Sequence, residues 1–191
     1  ADAWNGRMMT VGNSGSAMTV NHLALLGALM DGFASFHCNL STREDLDRGI
    51  GNPEIWKDFG WRATHLTTEI GRQVVAQNYG RSEAYRYFYG CSTGGQQGIS
   101  AAERFPEDYH GIVAVAPAFS RVHLHLYFLW NVQQLMYPDG SFIFSGDEVR
   151  KLSHITIGYF QSLGDGHPGD YFVSNPRLTD VQMKDLFVQI R

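Results

Sequence analysis

The 191 residues are 43% hydrophobic and 18% charged, the composition of a globular domain with enough apolar mass for a core rather than of a disordered chain. A formal net charge of -4, with the 15 basic residues scattered, argues against a nucleic-acid or anionic-membrane surface and toward a small-molecule partner. No apolar run approaches the roughly 20 residues of a membrane span, and the first residues lack the charged and apolar regions of a signal peptide; since the chain starts at Ala1 without Met, upstream sequence is expected.

In chain order, Arg7-Met8-Met9-Thr10-Val11 reads as a short strand that ends in the loop Gly12-Asn13-Ser14-Gly15. A helix is predicted over residues 20–30 and a strand over 33–38, followed by a polar, Gly/Pro-punctuated loop over 39–58, expected on the reactive side. Between residues 61 and 78, Ala63, Leu66, Ile70 and Val74 recur at spacings of three and four, the pattern of an amphipathic helix stopped by Gly80. The aromatic-rich run 85–89 is a buried strand, 96–104 a helix and 111–116 another strand. This alternation predicts a parallel sheet with helices on both faces and reactive loops beyond the carboxyl ends of the strands. After Pro117 the character changes, and residues 121–191 read as the beginning of a lid or insertion rather than as further core strands, against a core over residues 1–120.

The junction Gly90-Cys91-Ser92-Thr93-Gly94 carries the chemistry. A Gly-x-Ser-x-Gly turn between a strand and a helix is the context of a nucleophile elbow, in which a strained backbone lifts the serine Oγ above the sheet. Flanking glycines remove Cβ atoms that would collide with strand and helix. The helix that follows aims its dipole and free N–H groups at the reacting carbonyl, which makes Thr93 N–H the natural first donor of an oxyanion hole. A bare match to the pattern is common by chance, and a structural turn is the alternative to a true elbow. Two cysteines, Cys38 and Cys91, allow one disulfide at most and make no zinc pattern. Cys91 as nucleophile is a weaker alternative, because one residue before the centre of the elbow it points away from the oxyanion donors. Asn39-Leu40-Ser41 is the only glycosylation sequon, compatible with secretion.

The run from Gly90 to Gly98, with Ala102-Glu103-Arg104-Phe105-Pro106-Glu107-Asp108-Tyr109-His110-Gly111-Ile112 and Ala116-Pro117-Ala118, strongly resembles the tannase and feruloyl esterase family. Trp4-Asn5-Gly6-Arg7, Val11-Gly12-Asn13 and Asp58-Phe59-Gly60-Trp61-Arg62-Ala63 extend the likeness over most of residues 4–120. The resemblance implies an α/β-hydrolase fold, secretion, and a serine esterase acting on esters of aromatic acids such as gallate or ferulate, with a lid inserted after the strand around Ile112 to Ala116. By position it implies Ser92 as nucleophile, Thr93 as oxyanion donor and a second N–H from the loop holding Asn13 and Ser14. It also implies a disulfide from Cys91 to a cysteine beside the catalytic His. Gln96 stands where the family commonly has Arg. A family calcium loop would correspond to the stretch holding Asp165, His167 and Asp170, a weak oxygen set for an ion that wants six to eight ligands; a plain Gly/Asp turn is the alternative. No other cofactor is required by the chemistry.

The same resemblance places the acid and the base far downstream of the nucleophile, and neither can be assigned here. His123, His125, His154 and His167 are at plausible distances, and packing or surface roles are commoner for each. The 191 residues are therefore expected to be a piece of an esterase lacking its Asp and His, nearly inactive alone. A fold-retaining protein that binds without cleaving is the rival reading, and a lipase or peptidase chemistry on the same fold a third.

Overall fold

The computed structural model describes residues 3–15, 17, 19–42, 50–165 and 169–190, and divides into two compact units, Ala1–His125 and Leu126–Arg191. The first unit is built on β1 (Arg7–Val11), α1 (His22–Met30), β2 (Ala34–Phe36), α2 (Pro53–Lys57), a π-helical turn (Asp58–Arg62) that runs into α3 (Ala63–Tyr79), β3 (Tyr85–Cys91), α4 (Thr93–Arg104) and β4 (Gly111–Val115). The four strands are all parallel in the order β2-β1-β3-β4. The chain steps from β1 to β2 in one direction and returns past β1 to β3 and β4 in the other, so right-handed crossovers put α1 on one face and α3 and α4 on the opposite one. The adjacent loops leaving β1 and β3 thus diverge to opposite faces. The carboxyl ends of these two strands are the topological switch point, the place at which ligands of open α/β sheets bind.

Register fixes what each face carries. Thr10 lies beside both Phe36 and Phe88, and Phe88 beside Ile112, so these residues and Met8 share the face covered by α3 and α4. The helices come close because they present small residues. A Cβ on Gly71 would lie 2.6 Å from Met8 Cε, and one on Gly98 3.0 Å from Ile112 and 3.2 Å from Phe88. Phe88, Ala101 and Tyr109 form the buried cluster, with Ile112 packed against it. The other face shows Tyr85, Tyr89, Val113 and Val115 to solvent.

Two expectations change in detail, and the sequon acquires a local setting. Within the loop expected over 39–58, Pro53–Lys57 is helical: Pro53 suits a first turn and the Asn52 side chain accepts the Glu54 N–H. Residues 43–49 lie outside the described ones. In α3 the apolar stripe does not face the sheet; Leu66, Ile70 and Val74 are exposed, whereas Thr64, Thr68, Gly71 and Val75 are buried. Close approach to the sheet selects Gly71, and the two threonines are satisfied by Gln97 and Tyr109, so periodicity identifies the helix but not its buried side. In the sequon, Leu40 is fully buried, Asn39 Oδ1 accepts the Ser41 N–H and Ser41 Oγ donates to Asp58 at 2.6 Å.

The division into units falls inside α5 (Arg121–Gln134). Beyond it come an isolated bridge between Met136 and Phe142, α6 (Gly146–Ser162) and α7 (Asp180–Ile190). Ser145 and Glu148 form a reciprocal capping box at the start of α6. Tyr159, Phe160 and Leu186 make a small core between α6 and α7, with Val173, Leu178 and Ile190 at its edge. Among its described residues this unit adds no strand to the sheet.

Candidate active site

β3 runs straight into α4 through Ser92, whose backbone sits at φ 60° and ψ -115°. A β-carbon disfavours this region, which costs about 1–3 kcal/mol and persists only where the surroundings over-determine it. Here they do. Ser92 N–H donates to Val115 O at 3.0 Å, and Ser92 O accepts from Gln96 N (3.1 Å) and Ala118 N (3.0 Å). The turn can form because three glycines meet: a Cβ on Gly90 would sit 2.5 Å from Gly94 C, and one on Gly12 2.7 Å from Gly94 Cα. Ser92 is half-buried, and its hydroxyl is left at the head of α4. Thr93 is the first residue of that helix, where an N–H has no intrahelical acceptor and the helix dipole favours negative charge.

The loop after β1 is clasped to this turn. Gly12 N–H donates to Tyr89 O (2.8 Å), Gly94 N–H to Asn13 O (2.8 Å) and Thr93 Oγ1 to Gly15 O (2.6 Å). Asn13 is buried with its N–H on Gln97 Oε1 (2.8 Å) and its Nδ2 on Cys38 O (2.7 Å). Of the two residues expected to supply the second oxyanion N–H, Asn13 therefore has its N–H committed to Gln97, whereas Ser14 is exposed at the tip. Gln97, itself buried, also donates to Thr64 Oγ1 (2.8 Å), which ties α4, α3 and the loop together. On the opposite side Arg121 Nη2 donates to Thr93 Oγ1 (2.9 Å) and Gln96 Oε1 (3.0 Å), with its guanidinium 5.2 Å from the Phe59 ring centroid. Burial pulls the Arg121 guanidinium below its ordinary value, and its Nε is buried without a partner. Sequence reading missed Gln97 and Arg121; a Gln at the buried i+4 position from Thr93 was the one signal available for the first.

The other expected residues have surroundings of their own. Cys38 and Cys91 are free thiols, Cys91 exposed at the end of β3. His123 Nδ1 lies 2.9 Å from Ser120 Oγ, and His154 makes an edge contact with Tyr171. His167 is outside the described residues. Two histidines not singled out have structural surroundings: His65 Nδ1 is 2.8 Å from the buried Asp108, stacked on Phe105, and His37 has both ring nitrogens buried without partners. Burial, followed by the nearby His22, lowers the His37 pKa.

In the expected calcium loop, both aspartates accept backbone N–H groups. Asp165 uses one carboxylate oxygen to accept Ser174 N–H (2.8 Å) and the other to accept Asn175 N–H (2.9 Å), while Asp170 Oδ1 accepts Phe172 N–H (2.9 Å). Among the described residues no three His, Cys, Asp or Glu side chains converge as a metal site. Nor is any described helix long and apolar enough to cross a membrane.

A model of the family described as tannase and feruloyl esterase matches residues 1–189. The probable feruloyl esterase B-1 of Neosartorya fischeri is 37% identical over 122 residues, 63% of this chain and 23% of that protein. Feruloyl esterase B of Aspergillus niger is 35% identical over 143 residues, 71% of this chain and 27% of that protein. The crystal structure of feruloyl esterase B from Aspergillus oryzae superposes with a TM-score of 0.76 at 25% identity, covering 91% of this chain and 35% of the other. Tannin acyl hydrolase from Aspergillus niger shares the fold at a TM-score of 0.63 and 23% identity, covering 96% and 34%. The chain thus spans about a quarter of the length of the curated relatives it matches.

Proposed function

The chain belongs to the tannase and feruloyl esterase family, with an α/β-hydrolase fold, and we propose that its Ser92 is the nucleophile of a carboxylic ester hydrolase acting on esters of aromatic acids. The observation that carries this reading is the strained Ser92 backbone at the strand-to-helix junction, held by Val115, Ala118 and Gln96. Once a base removes its proton, Ser92 Oγ attacks the ester carbonyl. The oxyanion that forms accepts hydrogen bonds from Thr93 N–H and, in our assignment, Ser14 N–H. Collapse expels the alcohol, which takes the proton from the base, and water then releases the aromatic acid from the acyl-serine.

We assign the acid and base to polypeptide outside these 191 residues. Support comes from the relatives' greater length and from the His123 ring, whose Nδ1 is engaged by Ser120 Oγ. Without a base, the oxyanion donors and binding would leave a residual ~10³–10⁴-fold over water. The names of the relatives support an aromatic-acid ester as substrate, and the exposed Cys91 thiol is free to pair with a cysteine elsewhere. An extracellular location belongs to the same proposal. The test is hydrolysis of methyl ferulate, methyl gallate, a triglyceride and a peptide by the native protein and its Ser92→Ala variant. Aryl-ester turnover abolished by the variant is expected. Turnover that survives it, or confined to triglyceride or peptide, contradicts the assignment, and no turnover of any of the four favours a binding protein.

A further inference from the structure

We propose that the Thr93 hydroxyl is a bolt joining the two walls of the oxyanion hole, and that Arg121 is the positioning residue that fixes it. This rests on Ser92 being the nucleophile. The two donors assigned to the oxyanion belong to different loops: Thr93 N–H to the head of α4, Ser14 N–H to the loop after β1. Their spacing must hold to a fraction of an ångström for both to reach one oxygen. Gly94 and Gln97 hold the near side of that loop at Asn13, and the Thr93 side chain holds its far side, with Oγ1 2.6 Å from the carbonyl oxygen of Gly15, the residue after Ser14.

A hydroxyl has a single proton, and left alone it could turn elsewhere. Arg121 removes that freedom. A guanidinium can only donate, so the contact from Nη2 at 2.9 Å takes a lone pair of Oγ1 and leaves the proton for Gly15 O. The same Nη2 reaches Gln96 Oε1 at 3.0 Å, which fixes Arg121 to the first turn of α4 at two points. No carboxylate among the described residues pairs with Arg121, so its charge remains next to the helix terminus where the oxyanion forms.

The native protein and variants Thr93→Val, Thr93→Ser, Arg121→Met and Thr93→Val/Arg121→Met are assayed on the best aryl ester, with thermal unfolding alongside. Loss of a whole oxyanion donor costs about 10²–10³ in kcat, so loosening one should lower kcat about 10- to 100-fold in Thr93→Val with KM within about threefold. Thr93→Ser, which keeps the hydroxyl, should recover most of that loss. Arg121→Met should show a smaller kcat loss of the same kind, and the double variant should be no worse than Thr93→Val, because both remove one device. Wild-type kcat in Thr93→Val, a loss confined to KM, or losses that multiply in the double variant would overturn the bolt. If Thr93→Val does not fold, the Arg121→Met kcat decides, and a value unchanged from wild type overturns the proposal. A wild-type protein without Ser92-dependent turnover would instead remove the nucleophile reading beneath it.

Discussion

Neighbouring residues of β3 meet opposite fates. Phe88 is 1% exposed beneath α4, whereas Tyr89, one residue on, is 48% exposed on the other face of the same sheet. The strand reads as continuously aromatic, the pattern of burial on both sides, yet only the side under α3 and α4 is closed within the described residues. The elbow hangs from that closed side: α4 begins at Ser92 and rests on Phe88 and Ile112 through Gly98. The Ser92 turn is therefore held from one packed face, even where Tyr85, Tyr89, Val113 and Val115 lie open on the other.

The sharpest way to break this contrast is Phe88→Ala, which should cost about 3–5 kcal/mol in urea unfolding through the cavity it leaves. Tyr89→Ala, one position along, should change stability by less than about 1 kcal/mol. Equal costs would mean that the second face is packed in solution. Gly90→Ala acts on the join between sheet and elbow. Its Cβ meets backbone rather than a movable side chain, so about 3 kcal/mol should be lost, together with the reactivity of Ser92.

The closed face also carries a pH signature. Burial pushes the Tyr109 hydroxyl up to about 12 from an ordinary 10, against hydrogen bonds from Thr10 and Thr68 that pull it down. The folded state thus holds the phenol proton more tightly than the unfolded one. Stability from this group is complete below pH 10 and is lost as pH rises toward 12, amounting to at most about 2–3 kcal/mol. Tyr109→Phe should flatten that part of the alkaline unfolding profile; an unchanged slope would place the phenol in contact with water. The smallest effect belongs to the open face. Val113→Ser should shift stability by no more than about 0.5 kcal/mol while lowering binding of a hydrophobic dye, and a cooperative loss of fold would show that the face is covered.

What could be read from the sequence follows from range. The elbow is local, a strand and a helix joined by glycines around Ser92, and was legible, as were all four strands to within a few residues. The buried side of α3 was not, because Leu66, Ile70 and Val74 signal a helix, while the choice of buried side depends on how near Gly71 comes to Met8 and Phe36. The commitment of Asn13 N–H to Gln97, and the reach of Arg121 to Thr93, join residues 84 and 28 positions apart. No local pattern encodes such pairs. In the aspartate loop, spacing alone could not show that Asp165 serves backbone N–H groups nine and ten residues ahead.

The nucleophile itself is tested most directly by treating the native protein with a fluorophosphonate and locating the adduct by peptide mass mapping. A single adduct on Ser92, absent in Ser92→Ala, is the expected result. Label on Ser120, the serine paired with His123, or no label on a protein that turns over aryl esters, would contradict the assignment of Ser92.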